Sequence, residues 1–295
     1  MAVNDWMRSR GHSEQHPSAA EQLLGHIQVD SWLSKERAQF DLLARLTENR
    51  PARSLAPYFA QVYSQNGEDG HIAEIFDRIG AGQRTFLEIG IEDGTQNTSR
   101  FLLEQGWHGT WVEGSPEMAD RAAEIFADHV RSGALTVVQG FVTAENVNDL
   151  LDANGVPATL DYLSLDVDQN TSHVWRTLNR RARAMCIEYN ANIPPSLALE
   201  VPYDPNAAWD GSSNYGASLK TLELIGRQKG AQLVGCDLSG VNAFFVDAAE
   251  TADRFLEPFD ARTHYEPPRY ALMDQLGHPP SPTARTWVTP PEGDS

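Results

Sequence analysis

The stretch FLEIGIEDGTQNTSRFL, residues 86–102, sets an apolar run against an acidic glycine turn and follows it with a helix-compatible segment. Strand, tight turn and helix in that order build the nucleotide sites of α/β proteins, at the carboxyl end of the strand. From Glu88 to Gly94 the turn holds two glycines, Gly90 and Gly94, and three acids, Glu88, Glu92 and Asp93. A dinucleotide fingerprint uses three glycines, which let the backbone approach a pyrophosphate at the helix N-terminus. Carboxylates in that place repel a pyrophosphate and suit a ligand of positive charge.

S-adenosyl-L-methionine (SAM) is such a ligand, since it carries a sulfonium and an ammonium group and no phosphate. On this reading Gly90 and Gly94 let the backbone lie against the ligand, while Glu88 or Asp93 faces its amino-acid end. A second run ends Trp111-Val112-Glu113-Gly114. An acid about 20 residues beyond the glycine turn is placed to accept hydrogen bonds from ribose hydroxyls, which assigns Glu113 to that role. A third run ends Gln139-Gly140-Phe141-Val142, where Phe141 or Val142 either covers an adenine ring or belongs to the core. The polar turn SQNGEDG (64–70), with Gln65 and Glu68, either closes over the methionine end or caps a helix Glu68–Ile79. Tyr203–Ser218 is long for a βα connection, and such loops commonly carry function. Its Trp209, Ser212, Ser213, Asn214 and Tyr215, together with Asp168, suit a polar, ring-shaped acceptor such as a sugar.

The elements that must hold these residues are legible as alternating patterns. Strands are predicted over Thr85–Ile89, Thr110–Glu113, Leu135–Gln139, Tyr162–Asp166 and Ala184–Tyr189. Helices are predicted between them over Gln96–Gln105, Pro116–Arg131, Ala144–Ala153 and Ser172–Arg181, and then over Ala217–Lys229. Such alternation implies a parallel sheet with right-handed crossovers, covered on both faces. Gln232–Leu238 and Ala243–Val246 are joined by four residues, so they must form an antiparallel hairpin. Five βα units closed by a hairpin are the layout of the Rossmann-like methyltransferase fold, an α/β class. Ahead of them, apolar residues at helical spacing from Ser18 to Arg50 predict two helices, a lid, a subunit contact or simply core packing. The expected division is a helical extension (1–56), the sheet domain (57–262) and a proline-rich tail (263–295).

Twenty-three basic against 41 acidic residues give a formal charge of −18. That field repels phosphate backbones and argues against a nucleic-acid partner. Cys186 and Cys236, each inside an apolar run, fit two buried thiols in a reducing cytoplasm. No run approaches the roughly 20 apolar residues of a membrane span, and the N-terminal residues lack a signal-peptide core.

SQNGEDG, FLEIGIEDGTQNTSRFL, WVEGSPE (111–117), YLSLDVDQN (162–170), CIEYN (186–190), YDPNAAWDGSSNYGASL (203–219) and LVGCDLSGVNAFFV (233–246) together resemble SAM-dependent methyltransferases of the FkbM-like kind, over roughly residues 58–248. Leu165-Asp166-Val167-Asp168 and Ile187-Glu188-Tyr189-Asn190 are further similar to the L-D-x-D and I-D-D segments of metal-dependent macrolide sugar O-methyltransferases. That resemblance implies Mg²⁺ on Asp166 and Glu188. Tyr189 stands where a third carboxylate is expected, and Asn190 offers a replacement oxygen. With Mg²⁺ holding an acceptor hydroxyl, Asp166 serves catalysis and His173 is the candidate base, with His71 behind it. The expected function is O-methylation of a small molecule or saccharide in secondary or cell-surface metabolism. A nicotinamide oxidoreductase and a non-catalytic binding subunit are the alternatives.

Overall fold

The apolar runs fold as one seven-stranded sheet: β1 (Thr85–Ile89), β2 (His108–Glu113), β3 (Leu135–Gln139), β4 (Thr159–Leu165), β5 (Arg181–Glu188), β6 (Ala231–Cys236) and β7 (Asn242–Asp247). Their spatial order is β3-β2-β1-β4-β5-β7-β6. The first five run parallel, and β7 inserts antiparallel between β5 and β6. This is the Rossmann-like methyltransferase arrangement. The computed structural model describes residues 18–270 and 288–291.

Successive strand residues point to opposite faces, and both faces are buried, as parallel sheets require. Leu87, Ile89, Leu163, Ile187 and Phe245 pack on one side with Trp175. Phe86, Tyr162, Cys186 and Phe244 pack on the other with Trp111 and Phe126. Cys186 and Cys236 are both free and buried. Because β1 pairs with β2 and β4, and β4 with β5, the residues just past Ile89, Val112, Leu165 and Ile187 converge at one edge.

Two compact units are present, residues 1–45 and 46–295. The two N-terminal helices expected from the sequence are one continuous helix, α1 (Ala19–Asn49). Residues 19–49 contain no proline, so no intrahelical hydrogen bond is lost along the run. Ser18 and Glu21 close its start as a capping box. Leu23, Leu24, Ile27, Trp32 and Phe40 stand exposed along it. Among the described residues no helix is long and apolar enough to cross a membrane.

The second helix, α2 (Glu68–Ile79), matches its expected span. Four later helices are shorter than their patterns. Helix α3 covers only Arg100–Glu104, because residues 97–99 bond to Glu88 instead of entering a helix. The predicted helix Pro116–Arg131 is divided at Phe126 into α4 (Pro116–Ile125) and α5 (Ala127–Ser132), and the Phe126 ring sits edge-on to Trp111 at 4.8 Å. Helix α6 begins at Val147, since Thr143 and Asn146 hydrogen-bond each other's backbone N–H in the preceding turn. Helix α7 (Thr171–Thr177) stops early, and Arg181, its predicted end, opens β5. Helix α8 (Leu219–Gln228) starts after Ser218, whose hydroxyl caps Thr221 N–H. The short helices α9 (Ala248–Thr251) and α10 (Ala261–His264) follow β7. The chain stays packed past residue 262: Glu266 and Tyr270 are buried, and Tyr189 donates to the Glu266 carbonyl at 2.7 Å. Most of the proline-rich tail, residues 271–287 and 292–295, lies outside the described residues.

Candidate active site

A cleft of about 330 Å³ opens at the carboxyl edge of β1–β4. Gly90, just past β1, has φ +83, and a Cβ there would lie 1.7 Å from the Asp166 carbonyl oxygen. Glycine is therefore required because the chain leaving β4 crosses over it. Glu113, ending β2, accepts the N–H groups of Ile91, Glu92 and Ser115 at 2.8–3.1 Å, which clamps the glycine turn against β2. Its carboxylate faces the cleft with lone pairs to spare. Glu88 also lines the cleft, yet both its oxygens are taken: Asn97 Nδ2, the N–H and hydroxyl of Thr98, and the N–H and hydroxyl of Ser99 all donate to it at 2.5–2.9 Å. Burial still pushes its carboxyl up. Glu88 is the anchor of the cleft wall and has little left for a ligand.

On the opposite wall, Phe141 is 57% exposed while Val142 is buried in the core. That separates the two residues the sequence left paired, and only Phe141 offers a free ring face. The Ser64–Gly70 turn supplies Gln65 and Glu68 to the cleft. Glu68 is buried and accepts from Asn66 N–H and Asn242 Nδ2, while Asp69 accepts three backbone N–H groups of residues 62–64. The turn is thus a rigid wall built on a helix start. Trp209, partly exposed, also lines the cleft.

Six carboxylates line the cleft, Glu68, Glu88, Glu92, Glu113, Asp166 and Asp168, and none of its described lining residues is Lys, Arg or His. Two buried amide oxygens among them, Asn97 Oδ1 and Asn170 Oδ1, have no hydrogen-bond partner. Glu92 and Asp168 both sit at φ +51, a conformation that costs a non-glycine residue roughly 1–3 kcal/mol and clusters at functional sites.

Beside the cleft, Asp166, Asp168 and Glu188 bring carboxylate oxygens within 4.8 Å of one another. Pairing of Leu165 with Ile187 puts the residues that follow side by side. Burial, then the charges of Asp166 and Asp168, push Glu188 well above the carboxylate range. Burial and the charge of Asp168 raise Asp166 to about 7. Burial, Glu92 and Glu113 raise Asp168. Glu188 Oε2 is buried with no partner. Three carboxylate oxygens gathered on one point are the donor set of a hard divalent cation, and the buried, unpartnered Glu188 Oε2 fits such a ligand.

Several expected site residues lie elsewhere. Asp93 accepts from Thr95 and pairs with Arg121 at 3.2 Å, and Gly94 packs under the Trp111 and Phe126 rings; neither lines the cleft. His173 does not line the cleft: its Nε2 lies 2.8 Å from the Val201 carbonyl and its ring is tilted against Tyr203, 5.2 Å between centroids. His71 is fully buried against Phe244. Asn190 donates to the Ser213 and Tyr215 carbonyls and accepts from Asn192, so its amide holds the loop and is closed to a metal. The third carboxylate beside Asp166 and Glu188 is Asp168, which the sequence suggested for an acceptor. Ser212, Ser213, Asn214 and Tyr215 do not line the cleft either; Ser212 and Tyr215 are buried, and the Ser213 and Asn214 carbonyls bond to Asn190 and Gln169. Asn97 and Asn170 were missed because both were placed inside or next to helices, although the run Asn97-Thr98-Ser99 offers three consecutive capping-type residues.

No family model matches the chain, and no curated protein matches it. Among solved structures, the N-terminal domain of EvdMO1 with SAH bound is similar at 13% identity over 70% of this chain and 94% of that one, with a TM-score of 0.42. The O-methyltransferase from Bacillus cereus in complex with SAH is similar at 18% identity over 54% of this chain and 67% of its own, with a TM-score of 0.32. The pyocyanin biosynthetic protein PhzM is similar at 10% identity over 59% and 53%, with a TM-score of 0.36. Likeness at this level says nothing about this chain's own reaction.

Proposed function

We propose that the chain is a SAM-dependent methyltransferase of the FkbM-like kind, directed at a hydroxyl of a small molecule or saccharide. The observation that carries this reading is the lining of the cleft: six carboxylates and no described cationic side chain, at the switch edge of a methyltransferase sheet. Such a lining repels the pyrophosphate of a nicotinamide dinucleotide and attracts a sulfonium and an ammonium. SAM supplies an already activated methyl group.

The chain then has to hold and align two partners. Glu113 accepts from the ribose, and Phe141 covers the adenine. Glu68, Gln65 and the free Asn97 Oδ1 face the amino-acid end. Asp166, Asp168 and Glu188 would hold Mg²⁺, which when bound would lower the pKa of an acceptor hydroxyl. Trp209, which lines the cleft, presents a ring face to the acceptor. A metal-free variant of the reading has one observation in its favour. With a pKa of about 7, Asp166 is itself suited to take the hydroxyl proton.

Incubation with methyl-labelled SAM and a panel of monosaccharide and phenolic acceptors tests the proposal. Label is expected in the methyl group of a methyl ether on at least one acceptor, lost with EDTA and restored by Mg²⁺ or Mn²⁺. Transfer that persists in EDTA selects Asp166 as the base, and transfer to carbon or nitrogen alone refutes the oxygen assignment.

A further inference from the structure

A second cavity, of about 200 Å³, lies at the opposite edge of the same sheet, among the start of β5, the start of β6 and the ends of α7 and α8. Its chemistry is the reverse of the cleft's. Arg180, Arg181 and Lys229 line it, with Asp247 as the one acid among its described residues. Asp247 is engaged by Arg181 at 3.1 Å. Arg180 is nearly buried, with 3% of its side chain exposed; it spends its Nη atoms on Asp152 and Asn179, and its buried Nε has no partner. Lys229 donates to the Leu178 carbonyl at 2.7 Å and is mostly buried. Burial and the neighbouring Arg176 pull its ammonium down to about 8, with no acid acting against them. Lys229 is thus partly buried with no ion pair among the described residues, and Arg180, paired with Asp152 through one Nη, keeps a buried Nε without a partner, in a chain whose net charge is −18. Such an arrangement is costly unless an anion completes it. The floor, Trp175, Leu178 and Met185, is apolar. The volume falls below the 300 Å³ or so at which sites for drug-sized ligands begin, which limits the guest to a small one.

We propose that this cavity binds a small oxoanion, a phosphate or carboxylate group on a compact apolar body, with Lys229 and Arg180 as its charge partners and Arg181 at the mouth. The site lies at the amino edge of the strands, away from the methyl-transfer cleft, and stands independently of the function proposed for that cleft. The cleft itself, lined by carboxylates, does not compete for such a ligand.

Calorimetry and thermal unfolding of the full chain, with inorganic phosphate or benzoate at matched ionic strength in chloride, test it. A saturable response is expected to at least one probe: to phosphate if the headgroup alone is recognised, to benzoate if the apolar floor contributes. Lys229→Met is expected to weaken that affinity at least tenfold while SAM binding at the cleft is unchanged. Arg181→Gln, at a side chain that is 70% exposed and tolerant of change, is expected to weaken it severalfold. No saturable response to either probe, or a response equal to wild type in both variants, would overturn the proposal.

Discussion

At the scale of single residues, the site is a problem of too much negative charge in one place. Asp166 and Glu188 end neighbouring strands, and both titrate above their ordinary range, Asp166 through burial and the charge of Asp168, Glu188 through burial and the charges of Asp166 and Asp168. The folded value of Asp166, about 7, lies above the unfolded value near 3.9, so the folded state holds the extra proton. Stability without metal is then greatest on the acid side and falls as pH rises from about 4 to about 7, by up to about 1.4 kcal/mol per pH unit for one such group. His71 and His264, lowered to about 4, work in the opposite direction and Asp237 in the same one, so urea unfolding of wild type and Asp166→Asn at pH 5, 6 and 7 reads this slope as their difference; a wild-type stability that does not fall relative to Asp166→Asn as pH rises contradicts it. On the proposed function, a cation bound there would take the place of the proton. Mn²⁺ affinity is therefore expected to strengthen over the same rise and level off above about 7, with proton release visible when titrations are repeated in buffers of different ionisation enthalpy. Glu113 gives a further prediction. It clamps three N–H groups and faces the cleft, so Glu113→Ala is expected to lose roughly 1.5–3 kcal/mol of SAM affinity; calorimetry showing wild-type affinity would remove the ribose assignment.

At the scale of elements, the strands were legible and several helix bounds were not. Parallel strands buried on both faces read as apolar runs ending in a turn, and all seven sit within a few residues of their patterns. The helices failed where a side chain outbids the helical hydrogen bond. Glu88 is the clearest case: it draws the backbone of residues 98 and 99 into its carboxylate, and α3 begins only at Arg100. Periodicity records neither that competition nor which way a side chain turns at a strand end, which is why His173 and Asn190 were assigned to chemistry they do not face. Acids just past strand ends were legible, since the fold fixes where a strand end goes. Removing the anchor should show its weight. Glu88→Ala leaves two hydroxyls, an amide and two N–H groups without their acceptor, and a loss of more than about 3 kcal/mol of unfolding free energy is expected. Ser99→Ala, which takes away the acceptor of Trp111 Nε1 at 2.7 Å, should cost less, about 1–3 kcal/mol. Equal and small effects for the two would mean that the loop holds itself.

At the scale of the whole molecule, the unit of residues 46–295 carries the sheet and both cavities, and the unit of residues 1–45 carries a helix whose large apolar residues face solvent in the single chain. A helix of that kind is expected to bury those residues against a second copy of itself. Removal of residues 1–45 should lower the size seen by light scattering and leave the sheet unit folded; an unchanged size would dismiss the helix as a subunit contact. The charge of the molecule is distributed to purpose on this account, acidic at the carboxyl edge of the sheet and basic in the pocket at the amino edge. The claim on which the rest depends is that the acidic cleft selects a sulfonium nucleoside over a dinucleotide. Calorimetric titration of the full chain with SAM and, separately, with NAD⁺ measures this directly. The account predicts one SAM per chain with an affinity in the micromolar range, about −8 kcal/mol, and NAD⁺ binding at least a hundredfold weaker. NAD⁺ bound tightly with SAM excluded, or neither ligand bound, would contradict it.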